Sequence, residues 1–167
     1  MFFHNVVIPM RAQPFHKGHA HLIQTMARYS KNVAVALCRD YDCDRNPFPF
    51  YIRRLWIEVF LARHDIRNVF VPYRMNNISR YDEYRGFFNN GDNITVLVTP
   101  ETEKFYRDLF SVYNHHEDCY GMWHMHPMLA GLRVADNGRI IRERLRNGLE
   151  CDAYLHRDVT FLARMII

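Results

Sequence analysis

Lysine is scarce in this chain, with Lys17, Lys31 and Lys104 set against 19 arginines. Long apolar runs are lacking as well. The longest, Val33–Cys38, has six residues, far short of the ~20 that cross a bilayer, which excludes a membrane-spanning helix. The four cysteines, Cys38, Cys43, Cys119 and Cys151, contain no Cys-x-x-Cys pair. A chain of 167 residues buries enough surface to fold without a disulfide framework, so they read as free thiols. Met1–Met10 has neither a basic leader nor a small-residue cleavage site, and a cytoplasmic location is expected. Two phosphate-binding devices are also missing. No Gly-x-x-x-x-Gly-Lys-[Ser/Thr] and no Gly-x-Gly-x-x-Gly follows an apolar run, which excludes a Walker A loop and a dinucleotide fingerprint.

What the chain does contain is 49% hydrophobic residues, a formal charge of +4 and an alternation of short apolar runs with helical patterns. Strands are expected at Phe3–Met10, Asn32–Cys38, Asn68–Tyr73, Asn93–Thr99 and Cys119–Met125. The first two are apolar enough to be covered on both faces, as in a parallel sheet. Helices are expected from Lys17 (Ala20, Leu22, Ile23, Met26, Ala27), from about Ile52 and at Pro100–Tyr113, with two short ones, Arg139–Asn147 and Cys151–Met165, at the end. In the second helix Ile52, Leu55, Trp56, Val59 and Phe60 are assigned inward, with Arg53, Arg54, Glu58 and Arg63 outward. Such alternation predicts an α/β fold with a doubly wound, mostly parallel sheet and small C-terminal helices, in a single domain over residues 1–167.

Ligands of open α/β sheets bind beyond the carboxyl ends of the strands, where loops lead into helix N-termini. The segment Arg11–His19 follows the first strand. It places His16 and His19 three residues apart on one face of the first helical turn, with Gly18 between them. A helix start offers unpaired N–H groups and a partial positive charge, which suit a phosphate. Arg39–Pro49, after the second strand, is long and polar and is a second candidate binding loop.

These residues carry a resemblance. Arg11-x-Gln13-Pro14-Phe15-His16-x-Gly18-His19 resembles the His-x-Gly-His signature of the nucleotidyltransferase superfamily. Its Gln-Pro-Phe-His form resembles the archaeal-type nicotinamide mononucleotide adenylyltransferases. Asn137-Gly138-Arg139-Ile140-Ile141-Arg142 resembles that family's late Ser-Gly-Thr-x-Ile-Arg helix start, and Arg45-Asn46-Pro47-Phe48 its Arg-Asp-Pro-Phe loop. The resemblance implies a Rossmann-like nucleotidyltransferase fold and transfer of AMP from ATP to nicotinamide mononucleotide, with magnesium. It implies catalytic roles for His16, His19, Arg11 and Arg142. It further implies ATP contacts from Met10, Gln13, Phe15, Gly18, Asn137, Gly138, Arg139 and Ile141. Acceptor contacts fall to Arg45, Asn46, Tyr81 and Tyr84. The chain departs from the pattern at Asn137 and Arg139, where an amide and a guanidinium replace two hydroxyls. Met10 stands where a glycine is usual, and the stretch Asn77–Tyr84 lacks the family's stacking tryptophan, for which Tyr84 and then Tyr81 are the replacements.

Other readings stay open on the residues alone. The histidine signature is common to pantetheine-phosphate adenylyltransferases and to the cytidylyltransferases that activate glycerol or choline phosphates. His115, His116, Cys119, His124 and His126 are close in sequence, but their spacing fits no two-plus-two zinc pattern, and no protein metal site is expected. Arg133–Arg146 carries five arginines against Asp136 and Glu143, which suits an anionic ligand. Acids interleave the bases elsewhere, so neither a nucleic-acid partner nor a membrane is expected. A homo-oligomer is compatible with all of this.

Overall fold

The computed structural model describes residues 3–37, 46–72, 86–88, 94–98, 120–124 and 137–167. The expected helix at Pro100–Tyr113, Arg39–Arg45 of the polar loop, the Asn77–Tyr84 stretch, Cys38, Cys43, Cys119, Arg133, His115, His116 and His126 all lie outside them. The sheet is the expected one. Strands β1 (Phe3–Met10), β2 (Ser30–Leu37), β3 (Val69–Phe70), β4 (Ile94–Val98) and β5 (Tyr120–His124) stand in the order β3-β2-β1-β4-β5, and every neighbouring pair is parallel. The order reverses between β1 and β4, so the crevice for a ligand falls at the carboxyl end of β1.

Burial explains why these segments form strands. Val6, Ile8, Val33, Val35, Leu37 and Leu97 make one face of the sheet and join a continuous core. Val7, Ala34, Ala36, Ile94 and Val96 alternate onto the other face and are buried too. With both faces covered, polar residues in the central strands need partners. Asn5 is buried on β1, and its side-chain oxygen accepts from Asn32 Nδ2 on β2 at 2.9 Å.

Helix α1 (Lys17–Tyr29) buries Ala20, Ile23 and Met26 at helical spacing and runs directly into β2. Helix α2 (Phe50–Arg63) is rotated from its expected orientation. Its buried stripe is Arg53, Trp56, Ile57, Phe60 and Leu61, while Leu55 is exposed. The pattern of apolar residues alone turned Arg53 outward, but its guanidinium finds a backbone carbonyl inside, and the helix turns to bring it there. Helix α3 (Asn137–Arg146) buries Ile141 and Leu145. It ends at Gly148, whose φ of +66° suits glycine, and Leu149 N–H returns to Arg144 O at 2.9 Å, closing a Schellman turn.

Helix α4 spans Arg157–Ile166, not Cys151–Met165 as expected. The residues before it are turns, in which Cys151 O accepts from the N–H groups of Tyr154 and Leu155 while the Asp152 and Tyr154 carbonyls serve α1. Lys17 N–H donates to Tyr154 O at 2.9 Å, and Lys17 Nζ donates to Asp152 O at 2.6 Å. Cys151 is a buried free thiol. Among the described residues no helix is long and apolar enough to cross a membrane.

The rotation of α2 gives a direct test. Ile57→Ala removes a fully buried side chain and is expected to cost about 3 kcal/mol, whereas Leu55→Ala on the exposed face is expected to cost less than about 1 kcal/mol. Urea denaturation of the two variants measures both, and equal losses would contradict this placement of the helix.

Candidate active site

The loop after β1 carries Arg11 through His16 and leads into α1. His16 is the N-cap of that helix and His19 its third residue. His16 Nδ1 accepts from His19 N–H and His19 Nδ1 accepts from His16 N–H, each at 3.3 Å. This reciprocal cap is the arrangement usually made by Ser or Thr with Glu. Here it stacks the two imidazoles at 3.7 Å between ring centroids. The helix-start amides expected to greet a phosphate are thus partly committed already: His19 N–H to His16, and Lys17 N–H to Tyr154 O.

The cap also settles where the ring protons sit. Each Nδ1 accepts a hydrogen bond, so a neutral ring carries its proton on Nε2 and is a donor there. Both rings are held neutral. Burial lowers the His16 pKa to about 4, and a backbone hydrogen bond opposes the shift only in part. His19 is held well below the ordinary histidine value, first by burial and second by the charge that His16 would carry.

Three other segments meet this loop. Gln13 is buried, and its side-chain amide pairs with both backbone groups of Phe48: Nε2 donates to Phe48 O at 2.9 Å, and Phe48 N–H donates to Gln13 Oε1 at 3.0 Å. Arg11 is exposed and donates to Asn46 Oδ1. From α2, Arg53 Nη1 donates to Arg11 O at 2.7 Å. From α3, Arg142 Nη1 donates to Gln13 O at 2.6 Å. Gly138 permits this approach, since a β-carbon there would lie 3.2 Å from Gln13 O and 3.3 Å from Arg142 Nη1.

The structure therefore brings Arg11, Gln13, His16, His19, Asn46, Gly138 and Arg142 to one place at the carboxyl end of β1. Gly18 lies in the same first turn, and Asn137 starts α3. Met10, Phe15 and Ile141, expected to contact ATP, have their side chains in the core. Arg139 is exposed and faces Glu143 at 3.6 Å. Arg45, Tyr81 and Tyr84 lie outside the described residues. Sequence reasoning missed Arg53. No local pattern marked it, because the acceptor that makes its burial possible, Arg11 O, lies 42 residues earlier in the chain.

A histidine whose folded pKa lies below its unfolded value takes up protons preferentially in the unfolded chain. His16 thus contributes full stability above its unfolded pKa of 6.5, and the contribution is lost as pH falls toward 4. The loss is about 3 kcal/mol. Urea unfolding of wild type and of His16→Asn, whose amide keeps a cap acceptor, is expected to show the steeper decline between pH 6.5 and 4 in wild type. Parallel profiles would contradict a neutral, buried His16.

No protein-family model and no curated protein sequence matches this chain. Solved structures do resemble it. A structure of a nicotinate-nucleotide adenylyltransferase assigned in Vibrio parahaemolyticus aligns with a TM-score of 0.69 at 13% identity, covering 97% of this chain and 99% of that one. A bifunctional NMN adenylyltransferase/ADP ribose pyrophosphatase of Francisella tularensis aligns with a TM-score of 0.64 at 24% identity, over 93% of this chain. The chain spans 45% of that longer protein. Plasmodium falciparum nicotinic acid mononucleotide adenylyltransferase, in complex with NaAD, aligns with a TM-score of 0.62 at 10% identity, covering 95% and 93%. At these identities the likeness is one of fold, and the fold of this chain is that of these adenylyltransferases.

Proposed function

We propose that this chain is a nucleotidyltransferase that transfers AMP from ATP to nicotinamide mononucleotide, forming NAD and releasing pyrophosphate. The observation that carries the reading is the paired histidine cap at the end of β1, with Arg11 and Arg142 brought to the same loop from two directions. Similar folds, one named for transfer to NMN and two for transfer to the nicotinate form, support an acceptor of the pyridine mononucleotide class.

In this mechanism an oxygen of the acceptor's 5′-phosphate attacks the α-phosphorus of ATP. The new P–O bond forms as the bond from that phosphorus to the β-phosphate oxygen breaks, and pyrophosphate departs with the electron pair. No protein nucleophile takes part, so the residues act by positioning and by stabilising charge on the phosphate oxygens. His16 and His19 donate from Nε2 to phosphate oxygens as neutral groups. Arg11 and Arg142 supply positive charge, Arg11 near the reacting centre and Arg142 toward the β- and γ-phosphates. These side chains are N–H donors. The donor set fits phosphate oxygens, so magnesium enters with the ATP substrate, held by phosphates and water.

The test supplies magnesium and ATP with nicotinamide mononucleotide, nicotinic acid mononucleotide or phosphopantetheine, and CTP with glycerol phosphate, and separates the products chromatographically. NAD and pyrophosphate are expected from the first pair. Product from phosphopantetheine or CTP alone would move the assignment to another branch of the superfamily, and no product from any pair would overturn it. His19→Ala is expected to lower kcat/KM by about 100-fold, the scale of losing one oriented donor. A variant rate within a few fold of wild type would remove His19 from the reaction.

A further inference from the structure

Ala12 has a φ of +49°, in the left-handed region that residues with a β-carbon seldom occupy. It is fully buried, between Arg11 and Gln13. The carbonyls on either side of it are each held by an arginine from a different helix. Arg53 of α2 donates to Arg11 O at 2.7 Å, and Arg142 of α3 donates to Gln13 O at 2.6 Å. Arg142 has a place in the proposed chemistry. Arg53 has none, yet its side chain is fully buried and reaches the same loop.

Strained backbone persists where its surroundings over-determine it. If Ala12 relaxed to negative φ, the Arg11–Ala12 peptide plane would turn relative to the chain beyond it, and Arg11 O and the more distant Gln13 O could not both keep their guanidinium partners. The bond to Arg11 O fixes the peptide plane before Ala12, and the bonds to Gln13 O and to the Gln13 side chain fix the residue after it, so the short segment between them is held at both ends. Beyond Ala12 the loop is anchored again, by the Gln13 amide on Phe48 and by the Phe15 ring in the core, before it reaches the His16 cap. Arg11, whose side chain reaches Asn46, has its main-chain orientation set by the Arg53 bond.

We propose that Arg53 is a positioning residue: with Arg142 it clamps Ala12 in its strained conformation, and the clamp aims the phosphate-binding groups of the loop. The phosphate part of this rests on the nucleotidyltransferase reading, whereas the clamp on Ala12 does not.

The experiment compares wild type with Arg53→Met, Arg53→Lys and the double variant Arg53→Met/Ala12→Gly. Thermal unfolding first establishes a temperature at which all are folded. With alanine methyl groups labelled with carbon-13, the Ala12 signal, identified by its loss in Ala12→Gly, is expected to shift or split in Arg53→Met and to stay near its wild-type position in Arg53→Lys. Calorimetric titration with ATP is expected to show affinity about tenfold weaker in Arg53→Met, in line with the cost of small misplacements at a binding site. Glycine adopts positive φ without strain, so the double variant is expected to recover most of that affinity. An unchanged Ala12 signal in Arg53→Met overturns the clamp, and so does failure of Ala12→Gly to restore ATP binding while Arg53→Lys retains it. Wild-type affinity for ATP in a less stable Arg53→Met would reduce Arg53 to a structural residue and also overturns the proposal. If wild type does not bind ATP, the nucleotide reading fails, and the methyl signal still decides the clamp.

Discussion

The side-chain amide of Gln13 satisfies both backbone groups of Phe48, and the arrangement of the site depends on it. β1 and β2 are parallel neighbours, so the chain leaves both at the same end of the sheet, and the loop after one lies beside the loop after the other. That places Gln13 next to Phe48, 35 residues on. Both partners are buried, so an apolar residue at position 13 would leave an N–H and a carbonyl without water or partner, at about 1–3 kcal/mol each. The main-chain oxygen of the same residue receives Arg142 from α3. One residue thus holds three parts of the chain that are distant in sequence, and the histidine pair starts three positions later.

The histidines do something that the commoner capping residues do not. An Asp at the N-cap satisfies an amide and can otherwise only accept again, and a Ser keeps its one donor on the same oxygen that caps. An imidazole accepts with one nitrogen and donates with the other, so each ring caps the helix through Nδ1 and keeps an Nε2–H donor. The cap requires the neutral form, since an imidazolium has no acceptor nitrogen, and burial favours that form by desolvating the charged one. Neutral donors alone do not balance the charge of a triphosphate. In the proposed reaction Arg11 and Arg142 supply that balance.

The β1–α1–β2 unit was legible because its signals are local: apolar runs of strand length, a proline loop, and Ala20, Ile23 and Met26 at helical spacing. The histidine pair was legible as a motif, though its inward reciprocal bonding was not, because spacing does not distinguish a side chain that caps from one that faces solvent. The orientation of α2 was misread at Arg53, since the acceptor that makes its burial possible is a carbonyl 42 residues earlier in the chain. The start of α4 was misread for the same reason. Cys151–Leu155 has apolar residues at helical intervals, but carbonyls of Asp152 and Tyr154 turn toward Lys17, and no pattern within the segment reports that. In each case a long-range hydrogen bond overrode a local preference.

The arginine excess acquires a physical reading from the same bonds. Among the described residues, Arg53, Arg142, Arg144 and Arg164 donate to main-chain carbonyls, and Arg54, Arg63, Arg67 and Arg139 face carboxylates. The first four tie main-chain segments together, whereas the exposed pairs of Arg63, Arg67 and Arg139 contribute little. Arginine suits this better than lysine because its planar fork presents several donors in fixed directions: Arg144 puts both Nε and Nη2 on Glu150 O, at 2.9 and 2.7 Å. The fork also reconciles the bond that Arg142 makes with the role proposed for it. A guanidinium carries five N–H groups, so a bond from Nη1 to Gln13 O is compatible with a grip on a phosphate by the same side chain, and the first fixes the direction of the second. An ammonium in that position would have to orient itself about a single atom, without a rigid plane to relate the loop to the ligand.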